Sequence, residues 1–283
     1  MRREGGGRGS VPLHRRRSEE TMKEVRALIL RTAGTNCDLE TEYAFVRAGA
    51  TAKRVHVEEL MEGSERLADH HIFVIPGGFS YGDDIAAGRV LANELRARLG
   101  DRIEEFLESG GLALGICNGF QALVKMGWLP RRVSSPAEQS FSLVDNDSGR
   151  FEDRWVRLKL RPGRCVFVKE EETIELPVAH GEGKFVAREN ALIDELFEAG
   201  QVVFNYVGPD GGEADYPANP NGSYRGVAGV CDETGRILGM MPHPERFVSP
   251  WSHPRHTREG LKPEGDGLRI FRNAVEHVRR NVL

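Results

Sequence analysis

Residues 111–128, "GLALGICNGFQALVKMGW", decide how this chain is put together. The first six form an apolar run of strand length, and "NGFQALVKMGW" (118–128) takes up helical spacing with nothing but Cys117 between them. A strand that passes straight into a helix around G-x-C-x-G, here Gly115 to Gly119, is the thiol form of the nucleophile elbow. Such a turn lifts one side chain above the sheet, and the glycines let the backbone fold tightly. The next amide, that of Asn118, then points where an oxyanion would form. A helix N-terminus behind the sulfur favours thiolate over thiol. The competing reading is a small buried hydrophobe, the commoner fate of a free cysteine.

Working outward, "VRALILRT" (25–32) and "HIFVIPGG" (71–78) are buried-strand runs, and "DLETEYAFVRAG" (38–49) has helical spacing ending on Gly49. A further strand, "RILGMM" (236–241), leads into "PHPERF". Strands alternating with helices predict an open, mostly parallel twisted α/β sheet flanked by helices, flavodoxin-like, with right-handed crossovers. Ligands bind such sheets outside the carboxyl ends of the strands, where Gly77, Gly78 and Cys117 all fall. The middle, about 131–235, reads as a smaller β-rich excursion with pieces such as "WVRLKL" and "CVFV". After a polar, proline-rich stretch (249–266), Phe271, Ala274, Val275, Val278 and Val282 recur at helical spacing and predict a last helix packed on one face. Residues 1–21 are Arg/Gly/Ser-rich and aperiodic, which predicts a disordered leader or upstream start before a single domain over 22–283.

Bulk properties remove several function classes. With 39% hydrophobic and 29% charged residues in 283, the chain fits an ordinary globular protein with one sizeable core. A net charge of -4 and a pI near 6.2 give no broad electrostatic reason to bind nucleic acid or an anionic membrane. No apolar run approaches the roughly 20 residues of a membrane span, and the first residues lack a secretory apolar segment, so a cytoplasmic location is expected. The four cysteines, Cys37, Cys117, Cys165 and Cys231, form no C-x-x-C pair, which suits free thiols in a reducing compartment.

A nucleophilic cysteine needs a base and the base an orienting group. Two H-x-E pairs qualify: His243 with Glu245, and His180 with Glu182. Prolines 242 and 244 push Met241 and His243 toward extended backbone, and residues two apart in an extended chain face the same side, so Glu245 can hold His243. Both pairs together also permit a metal site, the basis of a metal-dependent hydrolase reading. Cys37, in "GTNCDLE", likewise follows a strand and precedes a helix, and is a rival nucleophile without flanking glycines. The segment "PGGFSYGDDIAAGR" contains neither G-K-[ST] nor G-x-G-x-x-G; its better reading gives Gly78 as the second oxyanion donor opposite Asn118. A third class, a non-catalytic α/β module that binds and regulates a synthetase, would leave Cys117 without a role.

Taken in order, "IPGGFSYGD", "GICNGFQ", "VAHGEG" and "GMMPHPER" resemble the glutaminase component of phosphoribosylformylglycinamidine synthase, a class I glutamine amidotransferase, from about Met22 onward. The resemblance implies that Cys117 attacks the side-chain amide of glutamine, His243 moves protons, Glu245 orients His243, and the amides of Gly78 and Asn118 form the oxyanion hole. It implies no metal, and it makes Gln121 and His180 candidate substrate-binding residues beside the site. Ammonia would pass to a large synthetase subunit that uses ATP and Mg, neither held by this chain, to convert formylglycinamide ribonucleotide to formylglycinamidine ribonucleotide. A small third subunit accompanies many stand-alone members. The segments "NDSGRFEDRW" and "YPANPNGS" stand closer to the long single-chain form of that enzyme.

Overall fold

In the computed structural model, residues 24–130 and 140–283 are described. The expected leader, residues 1–21, and residues 131–139 of the excursion lie outside them. Strand β1 (Arg26–Arg31) is buried at its four central positions, and α1 (Asp38–Arg47) returns the chain to β2 (Thr51–His56). A short α2 (Val57–Glu62) precedes β3 (Ile72–Ile75), the 20-residue α3 (Arg89–Glu108), β4 (Leu112–Ile116) and α4 (Asn118–Lys125). Next come β5 (Phe141–Val144), β6 (Glu152–Leu160), β7 (Thr173–His180), β8 (Lys184–Ala187) and α5 (Asn190–Glu198). Strands β9 (Val202–Val207), β10 (Val227–Cys231) and β11 (Ile237–Met240) are followed by α6 (His256–Glu259) and α7 (Leu268–Asn281).

Nine strands form one sheet in the order β2-β1-β3-β4-β11-β10-β9-β6-β7. The half from β2 to β11 is parallel throughout, as the apolar strand runs predict. From β11 to β7 every pairing is antiparallel, so most of the excursion extends the same sheet instead of forming a separate lobe. Strands β5 and β8 pair apart from it as a two-stranded ribbon. The decisive neighbours are β4 and β11: Leu114 lies opposite Leu238 and Ile116 opposite Met240. Whatever follows those two strands emerges side by side at the carboxyl edge.

Several details depart from the sequence reading. Strand β2 and helix α3 carry no strong signal of their own, yet α3 buries Leu91, Leu95, Leu99, Ile103 and Phe106 at helical spacing against the sheet. The piece "CVFV" is a turn, not a strand: the Val166 amide donates to the Gly235 carbonyl at 3.0 Å, and the turn buries Cys165 and Phe167. Val282 lies beyond the end of α7 and is partly exposed; the helix packs through Phe271, Ala274, Val275 and Val278, with Phe271 edge-on to Phe45 at 5.0 Å. The polar stretch 249–266 is a strap along the outer edge of β7. There Glu175 donates its amide to Asp266 at 3.1 Å, and its carboxylate accepts from Arg255 and contacts His253 at 2.9 Å. A strap of this kind keeps the edge strand from pairing with another chain.

Candidate active site

Cys117 is the elbow residue. It has φ 50° and ψ -103°, a backbone conformation that a non-glycine residue holds only at a cost of about 1–3 kcal/mol. Its amide donates to the Met240 carbonyl at 2.8 Å, and its own carbonyl accepts from the Gln121 amide, so both neighbouring elements over-determine the strained turn. The flanking glycines do less for conformation than for approach. A Cβ on Gly119 would stand 1.8 Å from the Ile75 carbonyl oxygen, and one on Gly115 would stand 2.7 Å from the Gly119 backbone. Only bare glycine lets α4 sit this tightly on β3 and β4. Cys117 is 5% exposed, with Sγ 3.6 Å from the Ala179 carbonyl.

His243 leaves β11 beside it, its backbone amide held by the Pro177 carbonyl at 2.8 Å. Its Nδ1 lies 2.6 Å from Glu245 Oε1, so the extended spacing around Pro244 does join these two residues. Nδ1 is therefore occupied, and the buried Nε2, which has no hydrogen-bond partner among the described residues, is the nitrogen left for the thiol. Burial lowers the proton affinity of the imidazole, but the Glu245 carboxylate and then Cys117 outweigh it and hold the His243 pKa well above its ordinary value. Gly77 packs under the ring: a Cβ there would come within 2.8 Å of His243 Cε1.

Gly78 follows at φ 148° in an isolated antiparallel bridge with Thr35, where a Cβ would stand 2.7 Å from the Gly34 carbonyl oxygen. The next residues are tied to the elbow through Asn118. Its Oδ1 accepts from the Ser80 amide at 3.1 Å, while its Nδ2 donates to Asp83 and to Gln121, each at 3.0 Å. The Gln121 amide nitrogen donates in turn to the Glu182 carbonyl at 2.6 Å, so both ends of Gln121 are held by protein groups. Burial raises the Asp83 carboxyl above its usual range, offset partly by Gly88 and Asn118.

The second H-x-E pair divides. Glu182 accepts from the Ala87 amide at 3.1 Å, whereas His180 Nδ1 meets Asn146 Oδ1 at 3.0 Å. Asn146 Oδ1 also accepts from the Gly183 amide, and its Nδ2 donates to the Arg150 and His180 carbonyls. That orientation puts the proton on His180 Nδ1 and leaves the buried Nε2 as an acceptor with no partner among the described residues. Burial, reinforced by the charge of His243, pulls the His180 pKa down to about 4. Among the described residues the ligand-type groups that converge at the site are Cys37, His243 and Glu245, without either member of the second pair. The arrangement that would use both H-x-E pairs as ligands is therefore not assembled among the described residues. Cys37 itself faces the wrong nitrogen, 3.9 Å from His243 Nδ1, and burial pushes its thiol up to about 11.

A model of the CobB/CobQ-like glutamine amidotransferase domain matches residues 24–278. A phosphoribosylformylglycinamidine synthase subunit PurQ from Dehalococcoides mccartyi is 52% identical over 92% of this chain and 100% of its own. The chain belongs to the glutamine amidotransferase subunits of phosphoribosylformylglycinamidine synthase. A PurQ from Methanococcus maripaludis is 42% identical over 90% of this chain and 98% of its own. Among solved structures, a chain of PurLQS from Thermotoga maritima superposes with a TM-score of 0.69 at 31% identity, covering 90% of this chain and all of that one. This amidotransferase subunit thus keeps its motif residues where strand ends bring them together. Asn146, which opens the segment "NDSGRFEDRW", and Tyr206 are site neighbours to which the sequence reading gives no role; Tyr206 is fully buried and accepts from Asn221, and burial pushes its phenol up, with the nearby Cys117 adding to it. No helix among the described residues is long and apolar enough to cross a membrane.

Proposed function

We propose that Cys117, His243 and Glu245 carry out the glutaminase half-reaction of this synthase. The observation that carries the assignment is the elbow at φ 50° with a His243–Glu245 pair, joined at 2.6 Å, on the adjacent strand end. His243 Nε2 takes the thiol proton as Sγ bonds to the amide carbon of glutamine, and the carbonyl electron pair moves onto oxygen. The amides of Gly78 and Asn118 stabilise that oxyanion, a contribution of about 3–4 kcal/mol per donor in comparable sites. Collapse breaks the carbon–nitrogen bond, and His243 returns the proton to the departing nitrogen, releasing ammonia and leaving a glutamyl thioester. Water, deprotonated by the same imidazole, then releases glutamate and restores the thiol. Glu245 keeps His243 in the tautomer that presents Nε2. Gln121 and His180 border the glutamine side of the pocket, with Gln121 fixing the 182 loop and His180 offering a neutral acceptor.

Ammonia passes to the large synthetase subunit, where ATP and Mg are held, for conversion of formylglycinamide ribonucleotide to formylglycinamidine ribonucleotide. The relative solved as PurLQS supports assembly with a large and a small partner. Four free, buried cysteines support a reducing, cytoplasmic setting. The test is labelling with a glutamine-like diazoketone in the presence of the synthetase, followed by peptide mass mapping. Modification of Cys117 alone is expected; modification of Cys37, or none, overturns the assignment. Cys117→Ala should abolish glutamine-dependent synthesis while leaving ammonium-dependent synthesis intact.

A further inference from the structure

Cys37 is fully buried at the Nδ1 edge of His243, 3.9 Å away, and takes no part in the reaction steps. Its backbone amide donates to the Gly77 carbonyl at 3.2 Å, which fixes where the side chain can reach. Sγ lies 3.1 Å from Asn36 Oδ1, an oxygen that only accepts, so the thiol hydrogen points there. A sulfur lone pair is then available to Arg246, whose Nη2 donates to Sγ at 3.2 Å. Burial pushes this thiol up to about 11, so it stays neutral. Arg246 Nε donates in turn to Oε1 of Glu40, in the first turn of α1, at 3.0 Å. The guanidinium is thus held from two sides.

These contacts matter because of the residue that precedes Arg246 in the chain. Glu245 gives Oε1 to His243 at 2.6 Å, while its Oε2 is buried and has no hydrogen-bond partner among the described residues. Arg246 is close enough to feel the charge of Glu245, and a guanidinium ordinarily takes up such an oxygen in a charge-assisted pair. Here its Nε and Nη2 are turned to Glu40 and Cys37 instead. We propose that Cys37 is a positioning residue for the glutaminase step: with Glu40 it holds Arg246 away from Glu245, so that the carboxylate stays committed to His243. This role presupposes the triad proposed above. The titratable groups that face the imidazole are Glu245, Cys117, Cys37 and His180, and Arg246 adjoins Cys37. Only Glu245 among them is a carboxylate, so the grip on Nδ1 depends on what else that carboxylate binds. An arginine paired with it would weaken the bond to Nδ1 and offset the negative charge that favours the imidazolium.

Steady-state synthesis by the assembled complex, followed against pH with glutamine and separately with ammonium salt, tests this role. In Cys37→Ala the released guanidinium should pair with Glu245. The kcat with glutamine is expected to fall about 10- to 100-fold with KM unchanged, and the acid limb of the profile to move about one unit to lower pH. Serine keeps a donor for Asn36 and an acceptor for Arg246, so Cys37→Ser should recover most of the rate. Glu40 is 38% exposed, so Glu40→Gln leaves the core intact and should show the same acid-limb shift in weaker form. Removing the rival cation as well, in Cys37→Ala with Arg246→Gln, should return the acid limb to its wild-type position or above. Ammonium-dependent synthesis should not change in any variant, and thermal melting checks that each is folded. A folded Cys37→Ala with a wild-type profile overturns the proposal, as does a slowed variant whose acid limb stays in place or is not restored by loss of Arg246. Should Cys37→Ala fail to fold, a wild-type profile in Glu40→Gln overturns it equally. Cys117→Ala that retains glutamine-dependent synthesis overturns the triad beneath it, and so separates the two failures.

Discussion

Gly77→Ala offers a measurement of how tightly His243 is confined. Gly77 needs no left-handed backbone, so alanine adds only a methyl group. That carbon would stand 2.8 Å from His243 Cε1 and 3.1 Å from Cys37 Sγ. Carbon atoms rest comfortably at about 3.5–4.0 Å, so the ring has to give way by about 0.7 Å. It has little freedom to do so, because its Nδ1 is fixed by Glu245 at 2.6 Å and its backbone by Pro177 at 2.8 Å. A misplacement of about 1 Å costs about 100-fold in a positioned reaction. The expected loss in glutamine-dependent kcat/KM is therefore about 30- to 100-fold, equivalent to about 2–3 kcal/mol of transition-state stabilisation. The assay is steady-state synthesis by the assembled complex with glutamine and, separately, with ammonium salt, which should be unaffected. Gly100→Ala is the control: within α3 its Cβ meets nothing within 4 Å, so it should leave the rate unchanged and stabilise by about 0.5–1 kcal/mol. A folded Gly77→Ala enzyme retaining more than about one third of wild-type kcat/KM would refute the idea that ring placement limits the chemistry.

Other changes test neighbouring links. Glu245→Gln removes the strongest influence raising the His243 pKa, so that pKa drops, the acid limb of the kcat/KM profile moves to lower pH, and the rate falls about 10³- to 10⁴-fold. His180 titrates at about 4 in the fold against an ordinary value near 6.5. Its stabilisation is complete above pH 6.5 and declines as pH falls toward 4, by about 3 kcal/mol in all. Urea unfolding of wild type and His180→Gln at pH 7.5, 5.5 and 4.5 should show that slope in wild type alone. Asn118→Ala leaves the backbone amide in place but strips the Ser80 amide of its acceptor. About 2–3 kcal/mol of stability should go, with faster hydrogen exchange at Ser80 than in wild type.

The parallel half of the fold is legible because its strands are buried on both faces and so read as unbroken apolar runs. Strand β2, "TAKRVH", has a single fully buried residue and mostly accessible neighbours, so its pattern carries little signal. Helix α3 passed unnoticed because its buried residues are separated by Arg, Glu and Asp rather than framed by a strong cap; its N-cap is Gly88 without a side-chain bond. The excursion showed as β-rich, but its continuity with the main sheet depends on β10 and β9 lying beside β11, a long-range pairing with no local trace. At the site, Cys117, His243 and Glu245 were readable because short-range backbone rules, an elbow and two prolines, set their geometry. The motif suggests a conformational role for Gly115 and Gly119, but the structure gives them one of clearance, Gly119 from Ile75 and Gly115 from Leu123 and the Gly119 backbone. Asn146, which fixes the His180 tautomer, lies 34 residues from that histidine, and nothing in its segment "NDSGRFEDRW" pairs the two. Only the assembled structure brings the two together.

The strand that delivers His243 is the last one made, yet it occupies an interior position between β4 and β10. During synthesis on the ribosome the elbow strand emerges long before its neighbour, and the gap beside it stays open until residues 237–240 have cleared the exit. Until then Cys117 stands without His243 beside it. Closing the sheet across so long a stretch of sequence is a late event, because the loop entropy must be overcome before the pairing repays it.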